Sequence, residues 1–235
     1  MGKLIILEWK KNNTKKYILS ALIMAACLFL LIFGINFWGM AVDPDTGMVD
    51  APTGYNQISV FIDVLTHMCY TCFCATMLAS YIVSTYKNKR MSLMFSYPIS
   101  RKKILGSQML AVWIFNFISM VLTKLFLYMS VQIQSQYQPS AFGLDFNFSS
   151  PAFYIQLILS SAIIISISFV ALFIGLVMNS SKATILASIL LICLTQGNIG
   201  SFTLANNLIF YAILLISSIF FAILSLLRAD SQDLM

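Results

Sequence analysis

The sequence predicts an all-α integral membrane protein with six transmembrane helices, and three observations carry that prediction. Apolar residues make up 60% of the 235-residue chain and charged residues only 9%, where soluble domains carry about a quarter charged. The apolar residues gather in six stretches: Tyr17–Trp38, Ile58–Tyr86, Ile104–Ile133, Phe153–Met178, Ala183–Leu204 and Leu208–Leu227. Each is about 20 residues or more, the length at which a helix spans a hydrocarbon core of roughly 30 Å. Finally, all but one of the 14 Lys and Arg residues fall in the N-terminal segment, between spans two and three, between spans four and five, or after span six. Those segments face one side if the spans alternate. The segments on the other side hold Asp43, Asp45, Asp50 and Asp145 and no basic residue. The positive-inside rule then puts both termini in the cytoplasm of a bacterial cell, with the chain in its inner (plasma) membrane.

Residues 1–16 are too short and too charged to cross. Leu4, Ile5, Leu7 and Trp9 suit the lipid boundary and Lys3, Lys10 and Lys11 the head groups, so an interfacial helix is expected. Span one is too long for a signal h-region, and no small-residue cleavage pattern follows it before Asp43. The first outer segment, about 41–57, carries the turn signals Asp-Pro-Asp-Thr-Gly and Ala-Pro-Thr-Gly. Span two, at about 29 residues, would be roughly 43 Å long, so it tilts or protrudes. A second outer segment, Gln134–Pro151, is polar with scattered aromatics. Spans four and five are joined by the short Asn179–Lys182. The stretch from Gln196 to Phe202, with two glycines, is expected to break the helix near the outer surface. The spans use up nearly the whole chain, so a single membrane domain, 1–235, is expected.

The net charge of +6 sits next to membrane ends, which points to anionic lipid head groups and not to nucleic acid. All five cysteines lie inside spans, which argues against an extracellular disulfide framework. Cys69, Cys72 and Cys74 with His67 have the softness of a Cu(I) or Zn site. On a helix, however, position 74 points away from 69 and 72, and packing is the preferred reading. Asp63 and His67, four apart in span two, and Lys124 in span three are intramembrane ionisable groups, costly there and functional candidates by default. Their depths differ by roughly 6 Å, within reach of a long Lys side chain. The expectation is an Asp63–Lys124 pair lining or bracing the outer half of a pathway, with His67 beside it. Asp63 at the outer interface with a lone snorkelling Lys124 is the alternative.

Between spans two and three the coupling loop 87–103 combines basic and apolar residues around Pro98. Residues 88–96 suit a short amphipathic helix exposing Met91, Met94 and Phe95, a surface that needs a docking partner. Pro98 stops it and Ser100 is placed to cap the next helix. The run Leu93-Met-Phe-Ser-Tyr-Pro-Ile-Ser-Arg-Lys-Lys-Ile-Leu105 resembles the signature of ABC-2-type transporter permeases. Leu7-Glu-Trp-Lys-Lys11 is similar to that family's N-terminal interfacial helix. The resemblance implies an ABC-2, type V exporter-like permease fold with Lys89–Tyr97 as the coupling helix. Lys89, Arg90, Met91, Met94, Phe95, Tyr97 and Arg101 would then dock on a separate ATPase subunit, present in two copies. It also implies a second permease subunit, and an amphipathic substrate of the antimicrobial-peptide kind. No G-x-x-x-x-G-K-[ST] loop occurs, so ATP and Mg would belong to the partner and no cofactor to this chain. The rival classes are an intramembrane enzyme and a non-transporting scaffold or sensor subunit. The first is disfavoured by a single histidine and the lack of an H-E-x-x-H pattern.

Overall fold

A computed structural model describes residues 9, 14–38, 58–83, 101–137, 147–196, 198–199, 202–203 and 208–231. Six helices account for nearly all of these residues: α1 Thr14–Trp38, α2 Ile58–Leu78, α3 Arg101–Tyr137, α4 Pro151–Val177, α5 Ser181–Gln196 and α6 Leu208–Ser231. A π-helical turn, Ala79–Val83, prolongs α2, and a two-residue hairpin follows α5. In the hairpin β1, Asn198–Ile199, pairs antiparallel with β2, Phe202–Thr203. Four helical stretches, in α1, α2 with its π turn, α3 and α4, are long and apolar enough to cross a membrane. The protein is thus helical and membrane-type in character.

The sequence explains the helix ends. Before α4, the Asn147 side chain accepts a hydrogen bond from the Ser149 N–H at 3.0 Å. The Ser150 carbonyl accepts from the Phe153 N–H at 3.3 Å. Pro151 then takes the first helical position, where its missing N–H costs nothing. After α4, Asn179 adopts a φ of +48° and the Ser180 N–H reaches back to the Gly175 carbonyl at 3.2 Å. This is a Schellman-type stop with Asn in the left-handed position. The Ser180 carbonyl accepts from the Ala183 N–H at 3.1 Å, so the same residue closes one helix and opens the next. The two helices approach closely there: a methyl group on Gly175 would overlap the Thr184 hydroxyl.

α3 runs to Tyr137, into the expected outer segment, and α6 to Ser231; two other boundaries differ in kind from the sequence reading. Span five was expected to run to Leu204, but α5 stops at Gln196 after 16 residues. At 1.5 Å per residue that is about 24 Å, short of a full crossing. Past Gln196 the chain has two glycines and an asparagine in four residues, and their low helix propensity lets the hairpin win. Span two was expected as one α-helix to Tyr86. Its α-helical part ends at Leu78, and the π turn carries it to Val83. Residues 84–86, the coupling loop before Arg101 and most of the N-terminal interfacial segment lie outside the described residues.

The chain divides into two compact units. One comprises Met1–Thr14, His67–Ile118 and Ser160–Met235, the other Lys15–Thr66 and Ser119–Leu159. In the first, Asn116 of α3 donates to Met77 of α2 at 3.3 Å, Trp113 donates to Ser166 of α4 at 3.1 Å, and Ser225 of α6 donates to Met109 at 3.6 Å. The Trp9 indole N–H donates to the Ala111 carbonyl at 3.2 Å, which ties the N-terminal segment to α3. In the second unit, Phe29 of α1 lies 5.6 Å from Phe126 of α3, and Tyr128 packs edge-on against Phe153 of α4 at 5.0 Å.

Candidate functional site

The second unit brings Asp63 and Lys124 together. Asp63 sits in the second turn of α2, four residues after Ser59. Lys124 and Tyr128 are likewise four apart on α3, so each pair shares one helix face. The two faces meet in antiparallel register: Lys124 Nζ lies 2.7 Å from Asp63 Oδ1, and the Tyr128 hydroxyl donates to the Ser59 carbonyl at 3.4 Å. The Asp63 carboxylate is a second acceptor for the same hydroxyl, whose single proton is shared between the two. The two sides of the pair are unequal. Lys124 has no exposed side-chain surface, whereas 36% of the Asp63 side chain is open. A fully buried ammonium is sustained only by its counter-charge and hydrogen bonds. The Asp63 carboxylate is therefore the counter-charge that Lys124 depends on, and about a third of that aspartate side chain is exposed.

His67 lies in the other unit and turns to a different partner. Its ring Nδ1 is 3.2 Å from the Gln196 side-chain amide at the last residue of α5. With the amide N–H donating, Nδ1 is the acceptor and the ring proton resides on Nε2. One face of α2 follows α5 from there: His67 meets Gln196, Cys72 is hydrogen-bonded to Ser188, and the π turn Ala79–Val83 packs on α5 as well. His67, one helical turn from Asp63 on α2, thus bonds to Gln196 at the α2–α5 seam.

Among the described residues, no group of three or more His, Cys, Asp or Glu side chains gathers as a metal site would require. Cys74 is buried beside Ser168 of α4, in a packing position. Of the anticipated docking residues, Lys89, Arg90, Met91, Met94, Phe95 and Tyr97 lie outside the described residues, and Arg101 is the first residue of α3. Tyr128 and Gln196 were not singled out as site residues. The helical spacing of Lys124 and Tyr128 was the available signal for the first. For Gln196, which reads simply as a span-end polar residue, no signal in the sequence names the partner.

The arrangement contains a charge pair between a buried lysine and a partly exposed aspartate. Comparison with known proteins adds one relative. No family model matches the sequence, and no solved structure matches it. A protein of Bacillus subtilis (strain 168) named "Uncharacterized protein YcbO" is 24% identical over 240 residues, covering 98% of this chain and 99% of the relative. The chain is similar to that protein from end to end.

Proposed function

We propose that this chain is the permease subunit of an ATP-driven exporter of the ABC-2 type, with six membrane spans and both termini in the cytoplasm. It moves an amphipathic substrate, of the antimicrobial-peptide kind, out of the cell or the membrane. A separate ATPase subunit, in two copies, supplies the energy, and a second permease subunit completes the pathway. The observation that carries the reading is the segment from Lys87 to Arg101, whose basic residues, exposed-type apolar residues and Pro-Ile-Ser-Arg turn resemble the family's coupling helix. It joins α2 to α3, which run antiparallel in each unit. Further support comes from Trp9, whose bond to Ala111 of α3 suits an N-terminal helix lying along the membrane boundary.

In this mechanism ATP-driven closure of the ATPase pair pushes on Lys89–Tyr97, and α2 and α3 carry the displacement into the bilayer. Purification in mild detergent with the ATPase encoded nearest to this chain tests it. Co-elution and substrate-stimulated ATP turnover are expected for the native chain. Both are expected to fall by about tenfold or more when Met91, Met94 and Phe95 are all changed to Ser, since apolar anchors dominate such interfaces. Unchanged turnover in that variant, or failure of the native chain to co-elute with any ATPase, overturns the proposal.

A further inference from the structure

We propose that a water molecule is held inside the protein where α2, α3 and α4 meet, between the Asn116 side-chain carbonyl and the Ser168 hydroxyl; the proposal is independent of the exporter reading. Asn116 of α3 has no exposed surface. Its amide nitrogen donates to the Val112 carbonyl at 2.9 Å and to Met77 Sδ at 3.3 Å. The Val112 carbonyl only accepts, so the nitrogen must face it and Oδ1 takes the other side. There Oδ1 is buried and accepts from no group among the described residues. Ser168 of α4 is equally buried. Among the described residues it is the one serine whose buried hydroxyl lacks a hydrogen-bond partner of ordinary geometry. The Cys74 thiol beside it is a weak partner at best.

Two such groups in an apolar interior carry their full desolvation cost unless something small and polar joins them. The contacts put both in one layer. Asn116 touches Met77, Ser168 lies beside Cys74, and Met77 and Cys74 are three apart on α2, about 4.5 Å along its axis. Trp113, three residues before Asn116, donates at 3.1 Å to Ser166, two residues before Ser168, so α3 and α4 are tied at the same level. An acceptor and a hydroxyl so placed match the span of a single water making two hydrogen bonds of about 2.8 Å each. The chemistry selects water as well. It donates to Oδ1, which can only accept, and either donates to the hydroxyl or accepts from it. A hard metal cation would want more oxygen ligands than these two, and an anion would meet the lone pairs of Oδ1. Two partners are the lower limit for an internal water, so the site depends on both.

The test is X-ray radiolytic footprinting of the whole chain in nanodiscs, with no ATPase present. Radicals formed from a bound water oxidise sulfur atoms close by, and Met77 and Cys74, 2% and 1% exposed, are shielded from bulk solvent. Dose-dependent oxygen uptake at Met77 is expected in the native chain. Asn116→Leu, of similar volume, and Ser168→Ala should each slow it by about fivefold or more, since either removes one of only two partners. Met109, also buried and bonded to Ser225 at 3.6 Å, should keep its native rate in both variants. No uptake at Met77 in the native chain, or an unchanged Met77 rate in either folded variant, overturns the proposal. Should Asn116→Leu fail to fold, Ser168→Ala, which removes a single oxygen, decides alone.

Discussion

Breaking the Asp63–Lys124 pair from its two ends should have unequal consequences, and the structure gives the order. At the 2.7 Å separation of Nζ and Oδ1, Coulomb's law gives about 1.5 kcal/mol at the dielectric of water and about 6 kcal/mol at an effective value of 20. The open carboxylate lowers the upper figure, so a coupling energy of about 3–5 kcal/mol is expected. Asp63→Asn leaves an ammonium with no exposed surface and without its counter-charge, the situation that costs about 3–5 kcal/mol in buried pairs. Lys124→Met leaves a carboxylate that is already partly open and puts a side chain of similar length into an apolar surround. It should cost at most about half as much. The double variant should resemble Lys124→Met, because once the lysine is gone the aspartate has no charge to balance. Detergent-solubilised thermal unfolding of all four proteins measures the cycle. Additive losses, or Lys124→Met more damaging than Asp63→Asn, would refute the reasoning.

Three further outcomes follow from the packing. Gly175→Ala should destabilise by about 1–3 kcal/mol, the usual cost of forcing an extra carbon into a filled contact, and Thr184→Ala should restore most of it because the methyl would meet the Thr184 hydroxyl; equal melting temperatures for native and Gly175→Ala would contradict this. Asn179→Val should lower stability by about 1–2 kcal/mol and Asn179→Gly should not, since φ is +48° there and β-branched side chains resist that region; a thermal shift assay distinguishes them. Gln196→Leu should cost about 1 kcal/mol through the lost bond to His67 at 3.2 Å, with no further loss when His67→Phe is added, as a double-variant cycle would read.

The helical architecture was legible in the sequence because it rests on run length and charge placement. The starts of α2 and α6 coincide with the expected first residues, Ile58 and Leu208, because polar segments precede both. The depth argument that put Asp63 within reach of Lys124 also holds in the coordinates, since it needs only the helical rise. What escaped were features without a compositional signal. The π turn at Ala79–Val83 is a change of backbone register within an apolar run, and nothing in Ala-Ser-Tyr-Ile-Val announces it. The early end of α5 was hidden by Ile199, Phe202 and Leu204, which prolong the apolar stretch although their backbone belongs partly to a hairpin. His67 was assigned to the ion pair by its four-residue spacing from Asp63. Spacing fixes a helix face but not every partner on it, and the bond from Gln196 of α5 to His67 had no signal in the sequence.

The distribution of polar bonds bears on which contacts can change as the protein works. Most buried hydroxyls are satisfied within their own helices: Thr66 by Ile62, Thr71 by His67, Ser188 by Ile185, Ser218 by Leu215. A hydroxyl that bonds back to its own turn is carried along when its helix slides, so repacking strands no donor. Links between helices are mostly neutral and modest, such as Trp113 to Ser166 or Asn116 to Met77, each worth about 1 kcal/mol at best. The exception is Lys124 with Asp63, where separation would leave a buried charge behind. α2 and α3 are therefore bound to keep their register at that level, whereas the bonds of α4, α5 and α6 to their neighbours among the described residues carry no such buried charge pair. In the proposed exporter, a stroke delivered to the segment between Val83 and Arg101 would be expected to keep α2 and α3 paired at Asp63 and Lys124, which would then serve as the hinge. Cross-linking supplies the check: with the native cysteines replaced, cysteines at Ser59 and Tyr128 should be bridged by a short bis-thiol reagent with equal yield in every nucleotide state of the proposed complex, whereas cysteines replacing Gln196 and His67 should change theirs. A direct disulfide would be out of reach, since it needs Cα atoms within about 7 Å. A state-dependent yield at the first pair would mean the hinge lies elsewhere.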